Sequence, residues 1–202
     1  FELQSLSFTN NTAGTVSPTN FVLSGNTLYF SNAASLIQLS SLFATAGGSR
    51  TVTINNDILL GDGTTLTLSS GVTTTFNRLT INGDISLTSG AVTSGTLALT
   101  GPSTNANNLI SGNITGSIAV TKAAAGTWVL SGNNNFTNGV TVTGGTLSMS
   151  GSSQIGGGLT VNAAASVLAK SMLTVSGPTP PGTGVMWLAT SRAAAKSARQ
   201  RG

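Results

Sequence analysis

The chain has 202 residues, only 6% of them charged, and a formal net charge of +4 at neutral pH. It contains no histidine and no cysteine, which excludes histidine general bases, Ser-His-Asp triads, cysteine nucleophiles, Cys/His zinc sites and disulfides. Its polarity comes instead from Thr, Ser, Asn and 26 Gly, residue types that suit strands and turns. We therefore predict a β-rich protein that is not an enzyme.

The basic charge is confined to the C-terminal tail. Residues 1–168 carry three basic and four acidic residues, a net charge of −1, whereas residues 169–202 carry five basic residues and no acidic one. The body has no basic stripe with interleaved aromatic residues, so we do not expect nucleic-acid binding. Its apolar runs of four to five residues are too short for a membrane-spanning helix, so we expect no membrane insertion. Because the chain starts at Phe1 without a methionine, we expect a mature or excised piece.

Short strand-like runs follow one another along the chain and stop at Gly, Asn or Ser-Gly. In chain order they read SLSF, NTLYF, TVTI, TLTL, RLTI, ISL, TLAL, SIAV, TWVL, VTVT and TLSM. One segment, residues 31–48, departs from this pattern because Leu36, Leu39, Leu42 and Phe43 have helix-like spacing. We interpret it as either one short helix or a coil insertion.

Three segments look like copies of one unit, namely residues 56–71, 83–101 and 116–132. Each has an Ile-x-Leu/Val strand, a connector with glycine, a second strand and a closing glycine. This alignment makes Ile58, Ile85 and Ile118 equivalent, with spacings of 27 and 33 positions. Short strands and variable connectors at such periods favour a β-solenoid over a propeller. The scarcity of charge fits, since like charges on successive coils would lie about 5 Å apart.

The clearest repeat covers residues 121–150, which read TKAAAGTWVLSGNNNFTNGVTVTGGTLSMS. This segment resembles the autotransporter-associated β-strand repeat. The matching positions are Lys122, Gly126, Thr127, Leu130, Ser131, Gly132, Asn133, Asn135, Phe136, Gly139, Thr141, Val142, Gly145, Thr146 and Leu147. Ala124 stands where the family has glycine, Trp128 where it has leucine, and Phe136 where it has tyrosine. The resemblance implies a right-handed parallel β-helix in the passenger region of a secreted or surface-displayed protein.

We predict an all-β fold, a right-handed parallel β-helix (β-solenoid) with short strands in each coil, over residues 1–177. Residues 178–202 form a non-solenoid tail, Pro-rich and then basic. Pro178, Pro180 and Pro181 lack the N–H group that a strand ladder needs. We expect this tail to be either disordered or a cap on the last coil.

Asp57 and Asp84 each precede an Ile-x-Leu run, so we expect them at equivalent corners of neighbouring coils. Paired acids on a β-helix face are suited to general acid/base chemistry on polysaccharides or to calcium binding, and Asp62 is near in sequence. Turn aspartates that bind local backbone are the simpler interpretation. We therefore assign no catalytic, cofactor-binding or metal-binding residue, and we expect no cofactor.

Three further patterns have a functional and a plain interpretation. Thr-x-Thr pairs, at 51–53, 65–67, 73–75 and 141–143, are suited to ice binding in regular arrays but are also the usual outward strand residues. We expect Trp128 and Phe136 to pack in the core rather than to stack on a glycan. The Asn-x-Thr triplets at 10–12, 113–115 and 135–137 are expected by chance in an Asn- and Thr-rich chain.

Together these patterns favour a structural repeat protein, a stalk or adhesive scaffold, located outside the cell or at the bacterial outer membrane. Two alternatives remain open, a carbohydrate-active or glycan-binding β-helix module and a self-assembling filament subunit. The candidate partners are surface glycans, or a second copy that associates through the open strand edges at the coil ends.

Overall fold

The computed structural model describes residues 2–9, 20–39, 51–70, 77–89, 94–102 and 107–161, and the backbone of strands 165–169 and 173–176. Within these residues every regular element is a β-strand, and all paired strands are parallel. No described segment forms a helix that is long and apolar enough to cross a membrane. The predicted all-β parallel solenoid is confirmed, and its right hand stays a prediction from the resemblance.

The strands form three sides that recur in the same order along the chain. Side 1 consists of two four-stranded sheets joined by a bridge between Ile85 and Ile114. Its strands are β1 (Glu2–Leu3), β4 (Leu28–Phe30), β7 (Ile58–Leu60), β10 (Ile85–Leu87), β13 (Thr115–Gly116), β16 (Asn135–Phe136), β19 (Ser153–Gly156) and β22 (Leu173–Ser176).

Sides 2 and 3 are seven-stranded sheets. Side 2 contains β2 (Ser5–Phe8), β5 (Ala34–Leu39), β8 (Thr65–Ser69), β11 (Gly95–Thr100), β14 (Ile118–Lys122), β17 (Val140–Val142) and β20 (Leu159–Val161). Side 3 contains β3 (Phe21–Leu23), β6 (Thr51–Ile54), β9 (Arg78–Ile81), β12 (Asn107–Ile110), β15 (Thr127–Leu130), β18 (Gly145–Met149) and β21 (Ala165–Ala169).

Side chains alternate between the interior and the surface along each strand. In β8, Leu66 and Leu68 are fully buried, whereas the threonines between and before them are half-buried. The parallel register places similar residues next to each other on successive coils. Leu66 pairs with Leu97, and Leu68 pairs with Leu99 on the next coil. Each such leucine contributes about 2 kcal/mol of burial, so the core is a set of apolar columns parallel to the solenoid axis.

The helical interpretation of residues 31–48 is wrong where the structure describes them. Residues Ala34–Leu39 form β5, in which Ser35, Ile37 and Leu39 are buried and the residues between them are not. This period of two places β5 between β2 and β8 on side 2, so the neighbouring coils override the helix-like spacing. Residues 40–50, with Leu42 and Phe43, lie outside the described residues.

The alignment of the three sequence repeats is right for two copies and wrong for the third. Ile58 pairs with Ile85, as predicted. Ile85, however, continues to Ile114, while Ile118 lies on side 2 opposite Gly95. The segment 116–132 therefore starts one side later than the other two. Strands of sides 1 and 2 look alike in sequence because both place apolar residues inward.

The coils become shorter toward the C-terminal end. Equivalent corner residues are 31 positions apart from Ser24 to Asn55, 27 from Asn55 to Asn82 and 29 from Asn82 to Ser111. The spacing falls to 20 from Asn113 to Asn133. The strands keep similar lengths, so the difference lies in the connectors. The connector from side 2 to side 3 is reduced to residues 123–126 between β14 and β15 and to 143–144 between β17 and β18.

Glycine is required at three of the corners where side 3 turns into side 1. A Cβ atom on Gly83, Gly112 or Gly132 would overlap the backbone carbonyl of residue 56, 83 or 112 respectively on the preceding coil. The stacking distance of about 4.8 Å leaves no room for a side chain that points along the axis. These glycines therefore set how closely the coils approach.

The Gly132→Ala substitution should lower the free energy of unfolding by about 2–3 kcal/mol, because the added methyl overlaps backbone that belongs to another coil. Gly63→Ala is the control. Gly63 has a φ of 68° but open space around it, so only the left-handed backbone cost of about 1 kcal/mol applies. Urea unfolding of both variants checks this, and equal losses would contradict the steric argument.

Candidate functional site

Polar residues of this chain converge at the corner where side 3 turns into side 1. We call this feature the polar corner and define it as residues 24–26, 55–57, 82–84, 111–113 and 131–133, one tripeptide per coil. Each tripeptide runs Ser or Asn, then Gly or Asn, then Asn or Asp. The middle residue is glycine in four tripeptides, which permits the close stacking described above. In the other it is the buried Asn56, whose Nδ2 donates to the Asn26 carbonyl at 2.7 Å.

In three of the tripeptides, the side chain of the third residue binds the backbone of the next coil. The Asp84 N–H donates to Asp57 Oδ1 at 2.9 Å, and the Asn113 N–H donates to Asp84 Oδ1 at 2.7 Å. The Asn133 N–H then donates to Asn113 Oδ1 at 2.8 Å. Asp57 and Asp84 thus occupy equivalent corners, as predicted. Their bonds are not local, however, because each carboxylate accepts an N–H group from the following coil.

The first residues of four tripeptides form a second ladder, from side chain to side chain. Asn55 Nδ2 donates to Ser24 Oγ at 3.1 Å, and Asn82 Nδ2 donates to Asn55 Oδ1 at 2.9 Å. Ser111 Oγ donates to Asn82 Oδ1 at 2.7 Å. The two ladders run parallel along one edge of the solenoid and hold successive coils in register.

The other charged candidates lie apart from the aspartate pair. Asp62 lies in the turn after β7, where its Oδ1 accepts the Ser94 N–H at 3.3 Å. Arg78 lies on side 3, where its Nε donates to Thr80 Oγ1 at 3.1 Å, and Arg50 lies outside the described residues. Among the described residues, no group of three or more acidic, His or Cys side chains forms a metal-binding cluster. The geometry therefore gives Asp57, Asp84 and Asp62 a role between coils.

The aromatic and threonine candidates have structural positions. Trp128 and Phe136 are fully buried, and Trp128 Nε1 donates to the Thr100 carbonyl at 3.1 Å, so the predicted core packing is confirmed. The Thr-x-Thr pair at 51–53 lies on side 3, whereas the pair at 65–67 lies on side 2. Thr141 of the pair at 141–143 also lies on side 2, in one column with Thr67. The pair at 51–53 is therefore on a different face, and the pair at 73–75 lies outside the described residues.

Sequence reasoning missed two asparagines that bind inside the solenoid. Asn108 is fully buried, accepts the Leu79 N–H at 3.0 Å and donates to the Thr127 carbonyl at 3.3 Å. Asn134 accepts the Ile114 N–H at 3.0 Å and donates to the Gly132 carbonyl at 2.9 Å. Each links adjacent coils with its amide group satisfied. In a chain so rich in asparagine, nothing in the sequence separates these two from the corner residues.

Lys122 is the most unusual member of the core. It takes an inward position on β14, between Leu99 and Val142 of the adjacent coils, and it is fully buried. Its Nζ donates to the carbonyl oxygens of Ala123 at 2.6 Å, Ala124 at 2.8 Å and Gly144 at 3.0 Å. Burial lowers the pKa of Lys122 from 10.5 to about 8, so the side chain is still charged at neutral pH.

Asp84→Ala should lower the free energy of unfolding by about 1 kcal/mol, because the Asn113 N–H loses its acceptor. Asp84→Asn keeps an oxygen at that position and removes only the charge, so we expect a change within about 0.5 kcal/mol. Urea unfolding at neutral pH compares the two variants. If both variants lost the same stability, the carboxylate oxygen would not be the stabilising group.

The stability of the wild-type chain should rise between pH 8 and pH 10.5. In this range the unfolded chain binds more protons at Lys122 than the folded chain does, so the free energy of unfolding increases by at most about 1.4 kcal/mol per pH unit. Below pH 8 both states are protonated and this contribution is constant. Urea unfolding of wild type and Lys122→Met at several pH values isolates the contribution of Lys122. If the free energy of unfolding of the wild type, relative to that of Lys122→Met, stayed constant or fell over this pH range, the prediction would be contradicted.

One family model matches the chain at residues 120–149, and its family is described as the passenger-associated-transport-repeat. The match coincides with the segment 121–150 identified from its sequence, and it covers β15–β18 together with Lys122 and most of β14. Neither a curated protein nor a solved structure gives a match to this chain. Residues 120–149 thus match one passenger-associated-transport-repeat, which supports the resemblance of this segment to the autotransporter-passenger repeat family.

Proposed function

We propose that this chain is a non-catalytic scaffold segment, a stalk or adhesive rod within an autotransporter-like passenger at the outer surface of a bacterium. The family supports a passenger-associated role and a secreted or surface location. The observation that carries the proposal is the use made of the polar side chains. Asp57, Asp84, Asn108 and Asn134 each bind another coil rather than converging on a cleft.

A scaffold of this kind is stiff because the same contacts repeat along its axis. Each coil adds about 4.8 Å of length and engages its neighbours on all three sides. A rod made of such coils holds attached parts away from the cell surface. The outward residues of side 2 include a column of small uncharged side chains, Thr67, Ala98, Thr121, Thr141 and Thr160. Such a face suits adhesion to uncharged repetitive surfaces, including glycans.

The positions of the described aspartates argue against the enzyme alternative. Acid/base cleavage needs two carboxyl groups free to reach a sugar, one as acid and one as base or nucleophile. Here one oxygen of Asp57 and one of Asp84 already accept backbone N–H groups. The buried Trp128 and Phe136 are not available to stack on a sugar ring.

Incubation with polygalacturonate and with neutral polysaccharides should leave the polymer length unchanged, as measured by size-exclusion chromatography. The control is the double variant Asp57→Asn, Asp84→Asn, which keeps both acceptor oxygens and hence the fold. A loss of polymer length that is abolished in the double variant would overturn the non-catalytic assignment.

The same polysaccharides in insoluble form separate the two scaffold roles. Sedimentation with the polymer, without shortening it, supports an adhesive rod. No sedimentation with any polymer supports a stalk that acts as a spacer only.

A further inference from the structure

Lys122 is the only fully buried charged side chain in the described part of the chain. It has no carboxylate partner there, and its three hydrogen bonds all go to backbone carbonyls. A buried ammonium group normally destabilises a protein unless each of its N–H groups is bonded. The three N–H groups of the ammonium donate to three carbonyl oxygens, so all of its hydrogen-bond donors are used without a counter-charge.

The three carbonyls come from two connectors on consecutive coils. Ala123 and Ala124 belong to the connector 123–126, and Gly144 belongs to the connector 143–144. These are the shortened connectors between sides 2 and 3. The tight connectors direct these three carbonyl groups to Lys122 Nζ, and a carbonyl group shielded from water is costly when it lacks a donor.

The backbone of the two connectors shows how tightly they stack. Ala124 has a φ of 60°, a left-handed conformation that explains why the family pattern has glycine at this position. Gly145 has a φ of 66°, and a Cβ there would overlap the carbonyl oxygens of Ala124 and Gly126. The connectors are thus in direct contact, with their carbonyls around one point occupied by Lys122 Nζ.

We propose that the carbonyl oxygens of Ala123, Ala124 and Gly144 form an internal binding site for a primary ammonium group, with Lys122 as its tethered occupant. The site joins the two short connectors, and it accepts a free alkylammonium ion when the lysine side chain is removed. A primary ammonium fits because it has three directed N–H groups. Sodium or potassium would need further oxygen ligands, and a quaternary ammonium has no N–H to donate.

The test is chemical rescue of the variant Lys122→Ala, which lacks the terminal propylammonium part of the side chain. Thermal unfolding is measured in propylammonium chloride, tetramethylammonium chloride and sodium chloride at equal ionic strength and neutral pH. We expect a higher midpoint for the variant in propylammonium than in the other two salts, because a ligand that binds only the folded state stabilises it. The wild-type chain, whose site is filled, should show no such difference.

A second variant separates the ammonium site from simple filling of the core. Lys122→Met keeps most of the side-chain volume but donates no hydrogen bond. It should unfold below the wild-type temperature and should gain nothing from propylammonium, because its side chain blocks the site. If Lys122→Ala does not fold alone, its refolding yield in each salt is the readout.

Two results would overturn the proposal. One is equal behaviour of Lys122→Ala in all three salts, including equal failure to refold. The other is a Lys122→Met variant as stable as the wild type, which would show that the carbonyls do not need a donor.

Discussion

Each coil of this protein bonds its backbone N–H and C=O groups to the coil before it and the coil after it, because its strands pair in parallel one coil apart on all three sides. A parallel ladder of this kind fixes the register of every strand, and a slip by one residue would turn the apolar columns outward. The corners must therefore stack as regularly as the strands. Gly83, Gly112 and Gly132 meet this demand by carrying no side chain toward the preceding coil.

Polar side chains support the ladder where strands end and backbone groups would lack partners. At the surface, Asp57, Asp84 and Asn113 supply acceptors to the next coil. In the interior, Asn108 bonds the Thr127 carbonyl and Lys122 bonds the Ala123 carbonyl. The same physical need explains both sets, since a buried backbone group without a partner costs more than a typical hydrogen bond contributes. The residues that look like functional groups in the sequence thus act in the structure as hydrogen-bonded links between coils.

The proposed scaffold role rests on this distribution of chemistry. In an enzyme we would expect reactive groups to converge on a concave site, where their environments differ. Here Asp57 and Asp84 lie at equivalent positions on successive coils, and each accepts an N–H group from the next coil. A repeated arrangement of this type suits mechanical continuity. It also explains the low charge of the body, because charged side chains at equivalent positions would repel one another at the spacing of the coils.

Composition and short-range pattern were enough to predict the all-β solenoid and the equivalent corners of Asp57 and Asp84. The family resemblance indicated the repeat at residues 121–150 and, within it, the burial of Trp128 and Phe136. These features depend on which residues alternate and where glycine interrupts them, and both are visible in a single sequence. The side to which a strand belongs was decided only by the tertiary structure, as Ile118 and Ala34–Leu39 show. The tertiary structure alone also decided the inward positions of Lys122, Asn108 and Asn134. The physical reason is that the bonding partners of these groups lie about 20 to 30 residues away, on a coil whose register is set only when the coils stack.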